Sequence, residues 1–157
     1  MNDTDRHAMR LAIEASRQAL EAGDMPYGAT LVAPDGQLRL VERNRQHSSA
    51  DPSAHAEMVL LRQATRQLGH AALHGATVYA SGEPCAMCTG ALYWAGVARV
   101  VWAAPQPAIA ELLGGPLLPV RCHDILQAGQ PPVAVSGECL ADEALAVLRE
   151  AAARAGR

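Results

Sequence analysis

The sequence predicts an α/β protein of three layers, α/β/α, in which helices cover both faces of a central mixed five-stranded sheet. Helical periodicity near both ends of the chain, five short apolar runs with strand character, and a strand-helix-strand alternation in the middle support this class. Half of the 157 residues are hydrophobic, which suits one buried core. Because no repeat or linker interrupts the chain, we expect a single domain over residues 1–157.

The first third of the chain predicts a helix followed by a β-hairpin. Apolar residues recur at helical intervals over residues 5–22, and Gly23 ends the pattern as a C-terminal cap does. Strands are predicted at residues 27–33 and 38–42, joined by the turn signal Pro34-Asp35-Gly36.

The middle of the chain predicts a helix and then a β-α-β unit. The helix covers residues 54–68, with Ser53 as its N-cap. Strands at 76–80 and 97–103 enclose a helix at 85–95, and this order implies parallel strands with a right-handed crossover.

The last third of the chain is less regular. Prolines and glycines punctuate residues 105–129, where we predict a loop with a short helix at 108–113. A last strand at 133–136 and a helix at 141–153 complete the predicted layers. We expect residues 105–129 to decide specificity, because they follow the motif region directly.

Charge and cysteine content narrow the classes of partner and compartment. Lys and Arg total 13 against 16 Asp and Glu, so the net charge is −3 and no positive excess exists to track a phosphate backbone. No apolar stretch approaches the roughly 18 residues of a membrane span, and residues 1–10 lack a signal-peptide pattern. Without such a signal, the four cysteines favour metal binding or catalysis over disulfides. We therefore expect a cytoplasmic protein that binds no membrane and for which nucleic acid is disfavoured.

Two motifs carry the residues of a catalytic zinc site. His55 precedes Ala56-Glu57, and further along the chain Cys85 and Cys88 stand at i and i+3 of a predicted helix start. Two thiolates on one helix face and one neutral imidazole make three ligands, which leave the fourth tetrahedral position to water. Glu57 lies too near His55 along one helix to share the metal, so we predict that it carries protons between this water, the substrate ring and a departing amine.

Two other interpretations of the cysteines stay open at this point. A structural zinc site is closed by four ligands, for which Cys122 and Cys139 are the candidates. A redox Cys-x-x-Cys of the thioredoxin kind follows an early strand and needs no upstream His-x-Glu. The joint occurrence of His55, Glu57 and the cysteine pair favours catalytic zinc over either interpretation.

The H-x-E…P-C-x-x-C pattern resembles that of the cytidine and deoxycytidylate deaminase superfamily. The stretches Asp51-Pro52-Ser53-Ala54-His55-Ala56-Glu57 and Glu83-Pro84-Cys85-Ala86-Met87-Cys88-Thr89-Gly90-Ala91-Leu92-Tyr93-Trp94-Ala95 are similar to the branch of guanine, cytosine and tRNA adenosine deaminases. The resemblance covers residues 25–103. It implies a cytidine deaminase-like fold, a zinc ion (Zn²⁺) held by the histidine and both cysteines, and hydrolytic deamination with Glu57 as the catalytic residue.

The resemblance also implies contacts to a substrate. Asn44 matches an asparagine that binds the base, and the backbone N–H of Ala56 matches a group that binds a substrate carbonyl. Tyr93 and Trp94 are either core residues or a wall for a flat ring. We interpret Cys122-His123-Asp124 as ordinary loop or as part of the substrate contact, because consecutive residues seldom point at one metal.

The superfamily forms homodimers or larger oligomers, so a homodimer is expected by resemblance. Apolar surface for it is available in the helix from Cys85 and in residues 112–120.

The identity of the ring is the least determined feature. Tyr93-Trp94-Ala95 resembles guanine deaminases, whereas Cys88-Thr89-Gly90-Ala91 also occurs in cytosine deaminases. The mixed charges of residues 142–157 disfavour a tRNA substrate. This chain lacks the aspartate-containing segment that follows residue 103 in guanine deaminases, and Glu111 is the candidate to replace its contact. We predict a small base or nucleoside, guanine first, with tRNA adenosine or cytosine and cytidine as alternatives.

Overall fold

The computed structural model describes all 157 residues of the chain, arranged around one central sheet. The strands are β1 (Gly28–Val32), β2 (Leu38–Arg43), β3 (Thr77–Gly82), β4 (Arg99–Ala104) and β5 (Ala134–Ser136). The helices are α1 (Asp3–Glu21), α2 (Ala56–Leu68), α3 (Ala86–Trp94), α4 (Gln106–Leu113), α5 (Cys122–Gln127) and α6 (Ala141–Arg154), with a 3₁₀ turn at His70–Leu73. None of the helices combines the length and the apolar character needed to cross a membrane.

The sheet has the strand order β2-β1-β3-β4-β5. Strand β1 is antiparallel to both β2 and β3, whereas β3, β4 and β5 are parallel. Successive side chains alternate between the faces, so Val78 and Val100 enter one apolar core and their neighbours Tyr79 and Val101 enter the other. The predicted mixed five-stranded α/β/α fold is confirmed, with its hairpin and its parallel β-α-β pair.

Separate layers of helices cover the two faces of the sheet. Helices α1 and α6 pack on one face, where Met9 and Val147 are completely buried. Helices α2, α3 and α5 cover the other face through Leu60, Leu92 and Leu126, which are also completely buried. Burial of a side chain of this size stabilises the fold by about 1.5–3 kcal/mol.

The start of α2 differs from the sequence prediction. His55 is the N-cap, and Ser53 is not. The Ser53 hydroxyl is engaged elsewhere, because it donates to Asp51 Oδ1 at 2.7 Å and accepts from Arg62 at 3.0 Å. The prediction of Ser53 as the cap was therefore wrong, and the helix begins two residues later than expected.

Residues 122–127 form helix α5 where a loop was predicted. Cys122 opens this helix and is buried in the core, and Cys122-His123-Asp124 do not form a metal-binding group. The first N–H of the helix is bonded to the Glu83 carboxylate, 39 residues earlier, so no local pattern could reveal this start.

Candidate active site

The three predicted metal ligands come together between the starts of α2 and α3. His55 Nδ1 lies 3.5 Å from Cys85 Sγ and 3.5 Å from Cys88 Sγ, and the three ligand atoms all lie within 4.8 Å of one another. This spacing fits one zinc ion, whose bonds to sulfur and nitrogen measure about 2.3 and 2.0–2.1 Å. Cys122 and Cys139 lie in the two apolar cores and not in this cluster. Neither cysteine can therefore serve as the fourth ligand that a structural zinc site would need.

Two helix N-termini converge on the cluster. His55 is the N-cap of α2 and Cys85 is the N-cap of α3, and neither side chain caps its own helix. The start of α1 is different, because Asn2 and Asp5 close it with reciprocal hydrogen bonds. The first N–H groups of α2 and α3 have no helical acceptor, so they create a positive potential that favours thiolates and other negative groups.

The contact between the two cysteines determines their protonation. Hydrogen bonds with Cys88 and with the His55 imidazole together lower the pKa of Cys85 to about 4, against the effect of burial. The hydrogen bond between the two cysteines, together with burial, raises the pKa of Cys88. Cys85 is therefore the more acidic of the two thiols, and both sulfurs bind zinc as thiolates, so zinc binding releases protons.

Glu57 lies beside the ligand cluster with only 6% of its surface exposed. Burial and the negative charge of Cys85 raise the pKa of the Glu57 carboxyl to about 7. A carboxyl with a pKa near neutrality can both accept and return a proton at that pH. Tyr27 faces the same cleft, and burial raises its pKa, so its hydroxyl stays protonated.

A cleft of about 660 Å³ opens over His55, Glu57 and Cys85. This volume suits a small molecule. Its opposite wall is apolar and comes from α4 and from the residues that follow, through Leu118. We call residues 106–120 the wall segment. The cleft lining contains no Lys or Arg.

Sequence patterns assign no role to Glu83, although it directly precedes Pro84-Cys85 and lines the cleft. Its side chain is 1% exposed and pairs with Arg121, whose Nε lies 2.8 Å from Oε1. The carboxylate also accepts the backbone N–H groups of Gln106 at 2.8 Å and Cys122 at 3.2 Å. These partners are distant in sequence. Only the position of Glu83 beside the cysteine motif could have indicated its role from the sequence.

The predicted base-binding Asn44 is completely buried and is held by Gln46. Asn44 Nδ2 donates to Gln46 Oε1 at 2.7 Å, and Asn44 Oδ1 accepts the Gln46 N–H at 2.9 Å. Gln46, which the sequence patterns did not indicate, lines the cleft, and Asn44 does not. The role of Asn44 in binding a base stays a prediction.

The remaining predicted contacts lie at three different places. Ala56 is buried at the start of α2, where its N–H has no helical acceptor. Trp94 is 84% exposed and lines a separate depression on the surface, not the cleft. Glu111 is exposed on α4, and it does not line the cleft although Ile109 and Ala110 do. Of these three residues, the fold places only Ala56 at the metal cluster, and Trp94 and Glu111 lie outside the cleft.

A three-layer α/β/α fold, a three-ligand metal cluster at the floor of a cleft, and a buried carboxylate beside it define a zinc-dependent hydrolytic enzyme. The chain belongs to the cytidine and deoxycytidylate deaminase family, since the model of that family's zinc-binding region matches residues 2–104. The predicted family, the zinc cofactor and the deaminase class are thereby confirmed.

The curated relatives have several different activities. A tRNA(Ile)-lysidine synthase of Deinococcus deserti is 39% identical over 91% of this chain, but the chain spans only 26% of that relative. A probable cytosine deaminase of Schizosaccharomyces pombe is 31% identical over 92% of this chain and 90% of its own length. A tRNA-specific adenosine deaminase of Agrobacterium fabrum is 39% identical over 64% of this chain and 66% of its own length.

Solved structures of similar proteins include guanine deaminases. The guanine deaminase from Nitrosomonas europaea superposes with a TM-score of 0.82 at 28% identity, over 94% of this chain and 84% of its own. A protein solved in complex with 8-azaguanine superposes with a TM-score of 0.83 at 27% identity, over 96% of this chain and 85% of its own.

Proposed function

We propose that this chain, as a single deaminase domain over residues 1–157, hydrolytically deaminates an aminated purine base such as guanine and releases ammonia. The observation that carries the proposal is the buried Glu57 beside His55, Cys85 and Cys88 at the floor of a cleft of about 660 Å³. Similarity to a structure that holds 8-azaguanine, over 96% of this chain, supports a purine ring.

The residues of the site are assigned roles in proton transfer and in binding of the base. His55, Cys85 and Cys88 would hold a zinc ion, which would lower the pKa of a water molecule and so supply the nucleophile. Glu57 accepts one proton as this water attacks the ring carbon that bears the amine, and passes that proton to a ring nitrogen. Glu57 then transfers the second proton of the water to the amine, which leaves as ammonia while the ring carbon becomes a carbonyl. The N–H of Ala56 donates to a carbonyl of the base, and Asn44 contributes to base binding together with the Gln46 that it holds.

Charge supports a substrate without phosphate. The cleft lining contains no Lys or Arg to bind a phosphate group. Two nearby arginines are already paired with buried carboxylates, Arg121 with Glu83 and Arg43 with Asp24. A free base or a nucleoside therefore fits the cleft better than a nucleotide.

Two related reactions are alternatives. Deamination of tRNA adenosine is favoured by 39% identity to the Agrobacterium fabrum enzyme, and opposed by the net charge of −3. Deamination of cytosine is favoured by the match to 90% of the Schizosaccharomyces pombe relative.

Ammonia release by the zinc-loaded protein tests the proposal. Guanine, guanosine, GMP, adenine, cytosine, cytidine and an anticodon stem-loop RNA would be compared, with Glu57→Gln as the matched variant. We expect guanine to react, and Glu57→Gln to retain zinc but lose activity by about 10²–10⁴-fold, because the amide cannot carry the proton. Reaction of the RNA alone would refute the small-molecule proposal, and an active Glu57→Gln protein would refute the role of the glutamate.

We also propose that the enzyme is a cytoplasmic homodimer. None of the four cysteines forms a disulfide bond, which suits a reducing compartment. Trp94 is 84% exposed beside Leu61 and Ala91, in a depression rimmed by Arg62 and Arg66, and exposed tryptophans of this kind are typical of interfaces. Sedimentation of the wild-type and Trp94→Ala proteins tests this: we expect a dimer that the substitution weakens, and a monomeric wild-type protein would contradict the proposal.

A further inference from the structure

The wall segment carries no metal ligand, so its position has to be fixed by something other than zinc. It begins with Gln106 at the start of α4 and runs to Val120, next to Arg121 at the start of α5. Between these ends it contributes apolar side chains such as Ile109 and Leu113 to the cleft. The segment then continues over Gly114 and Gly115, which both have positive φ, to the exposed Leu118.

One carboxylate holds both ends of this segment. Glu83 Oε2 accepts the Gln106 N–H at 2.8 Å, and Glu83 Oε1 accepts the Cys122 N–H at 3.2 Å. Arg121 adds an ion pair through Nε at 2.8 Å, and its guanidinium also lies over the Trp102 ring, 5.9 Å from the centroid. Gln106 in turn donates from Nε2 to the Leu118 carbonyl at 3.0 Å, which extends the anchorage into the middle of the segment.

Glu83 is itself fixed to the sheet. It follows Gly82, the last residue of β3, and its N–H donates to the Ala104 carbonyl at the end of β4 at 2.8 Å. The carboxylate therefore links strands β3 and β4 to the starts of α4 and α5, which lie at the two ends of the wall segment. Its 1% exposure means that water cannot replace these bonds when the carboxylate is lost.

We propose that Glu83 is a positioning residue, whose carboxylate holds the wall segment over the cleft and so sets how tightly the enzyme binds its base. The kinetic part of this inference rests on the proposed function, because it needs a ring that is turned over. The inference that Glu83 holds the wall segment is independent of that function, because hydrogen exchange in residues 106–120 can be measured without a substrate.

Three substitutions, together with Arg121→Lys as a conservative rescue, separate positioning from general stability. Glu83→Gln keeps the size of the side chain but removes the charge and one of the two acceptor oxygens that the N–H groups of Gln106 and Cys122 require. Arg121→Ala removes the ion pair and the contact with Trp102 but keeps both backbone N–H bonds to Glu83. Because the Arg121 side chain is 40% exposed, this variant should fold even if Glu83→Gln does not. Asp5→Asn is the matched control, because Asp5 and Arg99 form another buried carboxylate–arginine pair, 2.8 Å long, in the layer of α1.

The measurements are steady-state kinetics, zinc content, and amide hydrogen exchange of residues 106–122 in zinc-loaded protein. We expect Glu83→Gln to raise KM at least fivefold with kcat within threefold of wild type and full zinc content, and to speed exchange in residues 106–122. Arg121→Ala should show the same pattern more weakly, and Arg121→Lys should restore part of the loss. Asp5→Asn should lower the melting temperature without changing KM or exchange in the wall segment.

Other outcomes would overturn the proposal. Loss of zinc from Glu83→Gln with unchanged exchange in residues 106–122 would show that the glutamate supports the metal site instead. Unchanged KM and unchanged exchange in both Glu83→Gln and Arg121→Ala would show that the wall does not depend on it. If wild-type protein deaminates none of the rings, the proposed function fails, and the exchange data alone then decide whether Glu83 anchors the wall.

Discussion

The helix starts on the two sides of the cleft are built in opposite ways. At the metal cluster, α2 and α3 begin with His55 and Cys85, whose side chains leave the first N–H groups uncapped. At the wall, the first N–H groups of α4 and α5 are both bonded to Glu83. Uncapped N–H groups can stabilise a thiolate or a substrate oxygen, whereas capped ones can only fix the position of their helix. The side with the metal cluster can therefore take part in the reaction, whereas the side with the wall segment determines the shape of the cleft. We call them the chemical side and the wall side.

Removal of one cysteine ligand is the change that should affect the chemical side most. We expect Cys88→Ala to lose zinc and to release ammonia no faster than the metal-free wild-type protein, because two ligands do not hold a catalytic zinc ion. Metal analysis and ammonia release measure this. Cys122→Ala is the matched control, since Cys122 is equally buried but lies outside the cluster. It should keep its zinc, and a Cys88→Ala protein that keeps both zinc and activity would show that the cluster has been assigned wrongly.

The same contrast explains how much of the molecule could be predicted from the sequence. The chemical side is encoded locally: His55 and Glu57 are two residues apart, Cys85 and Cys88 three apart, and each pair opens a helix that hydrophobic periodicity reveals. The five strands, and the directions within the pairs β1–β2 and β3–β4, were predictable for a similar reason, since the hairpin and the β-α-β unit consist of consecutive segments. The antiparallel pairing of β1 with β3 and the parallel pairing of β4 with β5 came only from the structure.

The wall and its supports could not be predicted, because their determinants are far apart in sequence. Helix α5 starts where Glu83 accepts a hydrogen bond from a residue 39 positions later, and no nearby residue caps it. Asp24 likewise bonds residues 23 and 24 positions away. Ser53 was predicted to cap α2 from local preference alone, but its hydroxyl is bonded to Asp51 and Arg62, and His55 takes the cap position.

Gly82 lies where the two sides of the cleft meet, and its substitution should alter the shape of the cleft without affecting zinc binding. Gly82 ends β3 under the cleft, and a Cβ added there would lie 2.9 Å from Tyr27 Cε1 and 3.1 Å from Ile109 Cδ1. Both neighbours line the cleft, so Gly82→Ala must displace one of them. We expect a destabilisation of about 1–3 kcal/mol from overpacking, together with a raised KM and unchanged zinc content. Thermal unfolding, kinetics and metal analysis measure the three quantities.

Gly90→Ala is the control for this substitution. A Cβ at Gly90 in α3 meets nothing within 4 Å, so alanine should leave the kinetics unchanged and stabilise the helix by up to about 1 kcal/mol. Equal KM values for Gly82→Ala and wild type would indicate that the cleft tolerates movement of Tyr27 or Ile109, and that the shape of this side matters less than proposed.

Asp24 anchors the remaining side of the cleft in the manner of Glu83, and its substitution should affect the active site least, because it touches neither the metal cluster nor the wall segment. Its buried carboxylate accepts the N–H groups of His47 at 2.9 Å and Ser48 at 2.8 Å, and it pairs with Arg43 at 2.8 Å. These bonds order the residues around Gln46. We expect Asp24→Asn to lower the free energy of unfolding by about 2 kcal/mol at pH 7, while zinc content stays unchanged. Urea unfolding measures the difference, and Asp35→Asn, at an exposed turn, should have little effect.

The pH dependence of that difference distinguishes the charge of Asp24 from the shape of its side chain. Burial opposes ionisation of Asp24, but the hydrogen bonds from Ser48, Arg43 and His47 outweigh it and lower the pKa from 3.8 to about 2. A group whose pKa is lower in the folded state stabilises the fold above its unfolded pKa, and this contribution is lost as the pH falls toward the folded value. The difference between zinc-free wild-type and Asp24→Asn proteins should therefore be constant above about pH 5 and shrink between pH 4 and pH 2. Asp5, whose pKa is also lowered to about 2, is present in both proteins, so its titration cancels.

A difference that stays constant down to pH 2 would mean that Asp24 supports this side of the cleft by packing rather than by its charge.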